Sequence, residues 1–237
     1  MVLRLLTPEQ KKIWMNICAD ILQNIENDPN FLENVITCDE SWFFQYDPES
    51  KHQSMHWKSS SSPRQKKAWQ SKSKFKAMMI VFSTSEGLFA WIGCLKVRLL
   101  TRSTTRRFWQ TYVNGWEEEE DLKCGRTAHG FFTKQRTSTK RSSLKTFLTK
   151  HKITVLEQPP YAPDLAPCDF FSFPEIKSVL KGTRFESIDA VKAKAMELMN
   201  KLSEDDLQHR FRQWKIRMER CRDWGGEYIE GDNISIV

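Results

Sequence analysis

Gln158-Pro159-Pro160-Tyr161-Ala162-Pro163-Asp164-Leu165-Ala166-Pro167-Cys168-Asp169-Phe170-Phe171 carries four prolines within nine residues. Each pyrrolidine ring fixes φ and biases the preceding residue away from helix, so the stretch predicts a rigid, extended loop ending on Asp169. A helix-like run follows. Two readings are open for the aspartate. It is an exposed acid at a structural proline turn, or a carboxylate held in advance for a metal ion, since a stiffened loop places a ligand before the ion arrives.

Outward from the loop, the C-terminal side is strongly patterned. Phe173 to Leu180 predicts a helix stopped by Gly182. Ser187 caps a helix with Ile188, Val191, Ala195, Leu198 and Leu202 on one stripe. Ser203 caps another, with Asp206 in the capping-box position and Leu207, Phe211, Trp214, Met218 and Cys221 as its apolar stripe; Gly225-Gly226 ends it. These stripes are core-facing surfaces. On the N-terminal side, a helix from Ser143 to about Lys150 leads to a strand, Ile153 to Leu156.

The first half opens with Thr7-Pro8-Glu9-Gln10, a threonine cap, a proline at the first helical position and a glutamine able to close a capping box. Ile13, Ile17, Ile21 and Ile25, with Trp14, Cys18 and Leu22, give that helix an apolar face, and Asn27-Asp28-Pro29 ends it. The β-branched and aromatic runs predict a strand over 34–39 and a second over 41–46. Phe75 to Ser83 reads as a third, apolar enough to be central, and Leu88 to Leu95 as its hairpin partner through Ser85-Glu86-Gly87. Residues 96–142 show no sustained period and read as loop or disorder. Strands followed by helices predict an α/β or α+β domain.

Composition narrows the function classes. The chain has 237 residues and net charge +7, and from Ser50 to Ser85 it has no Asp or Glu, although 28% of its residues are charged. Lys51, Lys58, Arg64, Lys66, Lys67, Lys72, Lys74 and Lys76 lie in that stretch, interleaved with Trp57 and Trp69. This is the footprint of a nucleic-acid phosphate backbone, or a solvated loop that avoids acids. No run approaches the ~18 apolar residues of a membrane span, and no secretory leader is apparent, so a soluble chain is expected. Six scattered cysteines without a C-x-x-C pair argue against a zinc knuckle and fit a reducing compartment. Nothing suggests a small-molecule substrate.

Val35-Ile36-Thr37-Cys38-Asp39-Glu40-Ser41-Trp42, the proline loop through Asp164-Leu165-Ala166-Pro167-Cys168-Asp169-Phe170, and Arg220-Cys221-Arg222-Asp223-Trp224-Gly225-Gly226-Glu227-Tyr228 together resemble the catalytic region of mariner-family transposases, of the Tc1/mariner superfamily. Three distinctive segments occur in the right order, over residues 1–82 and 142–237. The resemblance implies a ribonuclease-H-like fold, a mixed sheet flanked by helices, that cuts transposon ends and joins them to target DNA with three aspartates and two Mg²⁺ or Mn²⁺ ions. Asp39 matches the first aspartate and Asp169 the third, making both the candidate catalytic and metal-binding residues. Residues 1–30 correspond to a linker helix after an absent helix-turn-helix domain, and 31–237 to the catalytic domain. The arm over 50–76 corresponds to a clamp loop, with Lys58, Arg64, Lys66, Lys67, Lys72 and Lys74 as candidate DNA contacts. A nuclear location and a homodimer follow from the same resemblance.

The pattern breaks at one point. The family's second aspartate sits in a His-Asp-Asn motif with 34 residues between it and the third, and that count lands on Lys134. An ammonium there changes the local charge by two units and repels the cation that Asp39 and Asp169 attract. Codons can be chosen for Cys124 to Thr133 such that a shifted reading frame gives Trp-Lys-Asn-Gly-Ser-Trp-Val-Phe-His, similar to the family's approach to the missing motif. The span 83–141 then reads as a frame-shifted insert, which predicts loss of the central strand and an incomplete sheet. The expectations are a transposase-derived domain with impaired DNA cleavage and strand transfer, a non-enzymatic DNA-binding or dimerising remnant, or a translated pseudogene.

Overall fold

Val35 to Phe44 forms one ten-residue strand, β1 (Val35–Phe44), rather than two short ones. The acids Asp39 and Glu40 do not break it, because successive residues of a strand point to opposite faces and each acid falls on a different one. In the computed structural model the described residues are 5–55, 57, 59–63, 70–85, 88–93, 130–134, 149 and 154–229, with 88–93 and 130–134 as backbone. The expected helix over 143–150 therefore lies outside the described residues except at Thr149, and Lys58, Arg64, Lys66 and Lys67 lie outside them as well.

The sheet has five strands in the order β3-β2-β1-β4-β5, with β2 (Lys76–Ser83), β3 (Leu88–Gly93), β4 (Gly130–Lys134) and β5 (Thr154–Gln158). Strands β3, β2 and β1 form an antiparallel meander in which Thr37 lies opposite Ser83 and Phe44 opposite Lys76. On its other side β1 pairs in parallel with β4, Val35 beside Gly130 through Cys38 beside Thr133, and β4 pairs in parallel with β5. A loop was expected across 96–142 and the central strand was expected to be missing. Instead Gly130-Phe131-Phe132-Thr133-Lys134 fills the position between β1 and β5. So short a segment owes its strand conformation to hydrogen bonding on both sides rather than to its own periodicity.

Two helical layers pack on the odd-numbered face of β1. Helix α1 (Pro8–Asn27) starts in the expected capping box, Thr7 with Gln10, and lies against α4 (Glu204–Asp223), which has its own box of Ser203 with Asp206. Trp14, Cys18, Ile21, Leu22 and Ile25 meet Phe211, Trp214, Met218 and Cys221 there, together with Val35 and Leu165. Ile13, placed on the apolar face by its spacing, is exposed, so the buried stripe runs one position further round the helix. Between the other end of β1 and helices α2 (Phe173–Leu180) and α3 (Ile188–Met199), Phe43, Met79, Val81, Cys168, Phe173, Ile176, Val191 and Ala195 form a second core. The chain after α2 is stitched to the strand end: Gly182 N–H donates to the Asp47 carbonyl (2.8 Å) and Phe185 N–H to that of Gln45 (3.1 Å).

The proline loop is not extended and exposed. Pro163–Leu165 makes a 3₁₀ turn, and a π-helical turn, Cys168–Ser172, runs directly into α2. Ala162, Leu165, Ala166 and Cys168 are buried. Donors from both long helices hold the loop's carbonyls: the Trp14 indole N–H reaches Pro160 (2.8 Å), the Trp214 indole N–H reaches Leu165 (2.9 Å), and Arg217 reaches Asp164 (3.2 Å). The tail closes it, with Ile229 N–H donating to an Asp164 carboxylate oxygen (2.8 Å) and the Tyr228 hydroxyl to the Tyr161 carbonyl (3.2 Å). Asp164, an apparent bystander in the sequence, ties the loop to the tail.

Candidate metal and nucleic-acid site

The odd face of β1 builds the site one residue at a time. Thr37 Oγ1 lies 3.8 Å from Cys168 Sγ, and Ser41 Oγ accepts from the Lys177 ammonium. Asp39 lies between these two positions on the same face, so it points toward the π-helical turn and α2. It is only 3% exposed, and its Oδ1 accepts the Glu40 N–H at 2.8 Å. Asp169 follows Cys168 in that turn and is half-buried. The Thr37–Cys168 contact sets the stretch of β1 that carries Asp39 against the turn that carries Asp169, and Lys177 donates to Ser41 two residues further along β1.

Lys177 is the residue that sequence reasoning missed. Its ammonium sits over the rings of Phe43 and Phe173, 5.4 Å from each centroid. Burial holds its pKa below the ordinary lysine value, while the Asp169 carboxylate pulls the other way. No local pattern marks it, because Ser41 and Phe43 reach it from β1, far away in the chain, and only Phe173 is a neighbour on its own helix.

Lys134 ends β4, and the β1–β4 register, carried one residue past Cys38 beside Thr133, sets its backbone next to Asp39. The position reached by counting back from Asp169 is therefore a neighbour of the first aspartate in the sheet. Among the described residues, no group of three or more His, Cys, Asp or Glu could hold a metal ion.

Of the candidate DNA contacts in the described residues, Lys74 is exposed. Lys72 is partly committed, with an ion pair to Asp47 (3.2 Å) and a place over the Phe44 ring (4.9 Å). Lys76, 4.3 Å above the Trp42 ring, extends the cationic edge along β2. Trp57 in the arm is fully exposed, as a ring that stacks on or slots against a ligand would be.

The order of the sheet and the helices packed on it define a ribonuclease-H-like α/β domain, the fold of the catalytic domain of Mos1 mariner transposase. That catalytic domain superposes with a TM-score of 0.75 at 21% identity, covering 97% of this chain and all of its own. A pre-cleavage Mos1 transpososome gives 0.82 at 22% identity, and a Mos1 mariner paired-end complex with Mn gives 0.84 at 22%; each covers 97% of this chain and 66% of the Mos1 chain. The human histone-lysine N-methyltransferase SETMAR is 22% identical over 233 residues, which are 95% of this chain and 32% of that protein. This chain thus spans about a third of the curated relative it matches. No family model matches it. The mariner resemblance read from three short segments is borne out in the fold of the chain as a whole. Among the described residues no helix is long and apolar enough to cross a membrane.

Proposed function

We propose that this chain is a mariner-transposase-derived domain that binds DNA through the arm over 50–76, and whose ancestral metal-dependent cleavage and strand transfer are impaired. The observation that carries the reading is the β1–β4 register, which sets Lys134 beside Asp39 where the resemblance calls for a second carboxylate. Asp39 and Asp169 are the surviving members of the metal set, and Mg²⁺ or Mn²⁺ is their ancestral partner; Mos1 paired-end complexes with Mn and with Mg support that choice. DNA as the partner is supported by the acid-free arm and by the neighbours, which include a Mos1 paired-end complex with a transposon end. A nuclear location and a homodimer belong to the same proposal.

A nicking assay on supercoiled DNA with Mn²⁺ tests it, alongside a binding titration at two salt concentrations. Binding that weakens steeply with salt, without cleavage, is the expected result, because phosphate contacts release counterions on binding. Cleavage that disappears in Asp39→Ala would show that the chemistry survives and refute the impairment. Lys134→Asp alone is expected to restore none, since one carboxylate does not rebuild a two-ion geometry.

The non-enzymatic reading, a DNA-binding or dimerising remnant, gains from one observation. The Lys177 ammonium donates to Ser41, two residues along β1 from Asp39, and a cation placed there would oppose a bound metal ion.

A further inference from the structure

The C-terminal tail touches both α1 and the proline loop within four consecutive residues. Gly225 and Gly226, in the left-handed region at φ +73° and +78°, turn the chain back from the end of α4. Gly226 then lies so close to α1 that a Cβ there would stand 2.4 Å from the Lys11 carbonyl oxygen. The Glu227 carboxylate pairs with the Lys11 ammonium, and the Tyr228 ring meets Trp14 edge-on with centroids 5.2 Å apart. Ile229 is buried, and its N–H donates to the Asp164 carboxylate.

Tyr161 is where these contacts converge. Among the described residues it alone has a positive φ, +60°, without being glycine. Such a conformation costs energy and persists only where its surroundings over-determine it. The peptide plane before Tyr161 is held by the Trp14 indole on the Pro160 carbonyl, and the plane after it by the Tyr228 hydroxyl on the Tyr161 carbonyl. From there a run of short-range hydrogen bonds leads to Asp169. Leu165 N–H donates to Ala162, Ala166 N–H to Pro163, and the Asp169 and Phe170 N–H groups both to Ala166.

We propose that Gly226–Ile229 is a latch that holds Tyr161 in its strained conformation and so couples the entry of α1 to the turn bearing Asp169. Release of the latch frees the plane after Tyr161, lets that residue leave the left-handed region and loosens the turns that follow. The loop then has two arrangements, and whatever draws the tail away from Lys11 shifts it toward the second. The latch involves neither DNA nor metal, so it stands or falls apart from the proposed function.

Amide hydrogen exchange on the whole chain tests it, under native conditions where rates report local opening. Tyr161→Ala keeps a Cβ at positive φ and Tyr161→Gly does not, while both lose the ring and keep the carbonyl. Closing the latch costs less in the glycine variant, so the Ile229 N–H should exchange at least about threefold more slowly there than in the alanine variant. The second comparison acts from the α1 side. Gly226→Ala, which cannot sit against Lys11, should speed exchange at Ile229, Asp169 and Phe170 by about tenfold. Gly225→Ala, with a similar φ and nothing within 4 Å of its Cβ, should do so much less.

Equal exchange at Ile229 in the two Tyr161 variants would overturn the latch, since it would then store no strain. Faster exchange at Ile229 with Asp169 and Phe170 unchanged in Gly226→Ala would overturn the coupling. Should Gly226→Ala fail to fold, Glu227→Lys sets two ammonium groups against each other at an exposed place and is expected to give the same pattern at smaller size. Cleavage or DNA binding by the native chain, present or absent, moves neither comparison.

Discussion

Replacing Trp214 with phenylalanine should loosen the loop that carries Asp169. Trp214 is fully buried, its indole N–H donates to the Leu165 carbonyl at 2.9 Å, and its ring meets Phe211 edge-on with centroids 5.7 Å apart. Phenylalanine keeps an aromatic ring but leaves that carbonyl without its donor in a place water does not reach, at a cost of about 1–3 kcal/mol. The smaller ring removes apolar contact worth about 1 kcal/mol more. A total near 3 kcal/mol corresponds to a drop of roughly 6–12 °C in a chain of this size. Trp14→Phe is the comparison, because its partner, the Pro160 carbonyl, is only part-buried and water can replace the indole. Urea unfolding followed by circular dichroism measures both, with the slope unchanged if only native stability has moved. Hydrogen exchange at the Asp169 and Phe170 amides should quicken in Trp214→Phe alone. A loss below about 1 kcal/mol, or one equal to that of Trp14→Phe, would refute the role given to the buried donor.

Further expectations concern the helix ends and the tail. Gly226→Ala puts a Cβ 2.4 Å from the Lys11 carbonyl oxygen at φ +78°, whereas Gly225→Ala, at φ +73°, meets nothing within 4 Å. The second should cost about 1 kcal/mol of left-handed strain and the first clearly more, so equal melting temperatures would disprove the close approach. Ser203→Ala removes one half of the capping box on α4 and should cost about 1 kcal/mol, with Ser203→Asp recovering most of it in the same melt. Hydrogen bonds from Lys194 and Lys201 hold the Glu197 carboxyl down to about 2. Its folded pKa lies below the unfolded value, so its contribution is present above about pH 4.5 and is lost as the pH falls through about 2. The group is exposed, so the contribution is small and screened, and a carboxyl NMR titration in 1 M NaCl should move the value back toward 4.5.

The helices were legible because their signals are local. Thr7, Ser187 and Ser203 cap as their side chains dictate, and the stripes of α1 and α4 need only helical spacing. What was not legible depends on partners distant in the chain. The acids Asp39 and Glu40 split β1 on paper, yet pairing on both sides carries the strand through them. The same pairing makes a strand of Gly130 to Lys134, whose flanks of Lys, Arg and Thr offer no alternation. Four prolines indicate a stiff loop but not its shape, which is set by indoles 146 and 49 residues away from the carbonyls they hold. At the candidate site, Asp39 and Asp169 came from motif likeness, whereas Lys177 is known only once α2 is packed on β1.

The pairing of α1 with α4 also sets a schedule for synthesis. Trp14 leaves the ribosome two hundred residues before Trp214, and at roughly 5–20 residues per second the interval is about 10–40 s. The β1–β2–β3 meander is local and can close early in that interval. Through all of it the stripe of Trp14, Cys18, Ile21 and Ile25 waits without α4, and so does the proline loop from the moment it emerges. A ribosome stalled before codon 203 would therefore present an apolar helix to whatever chaperones wait at the exit tunnel.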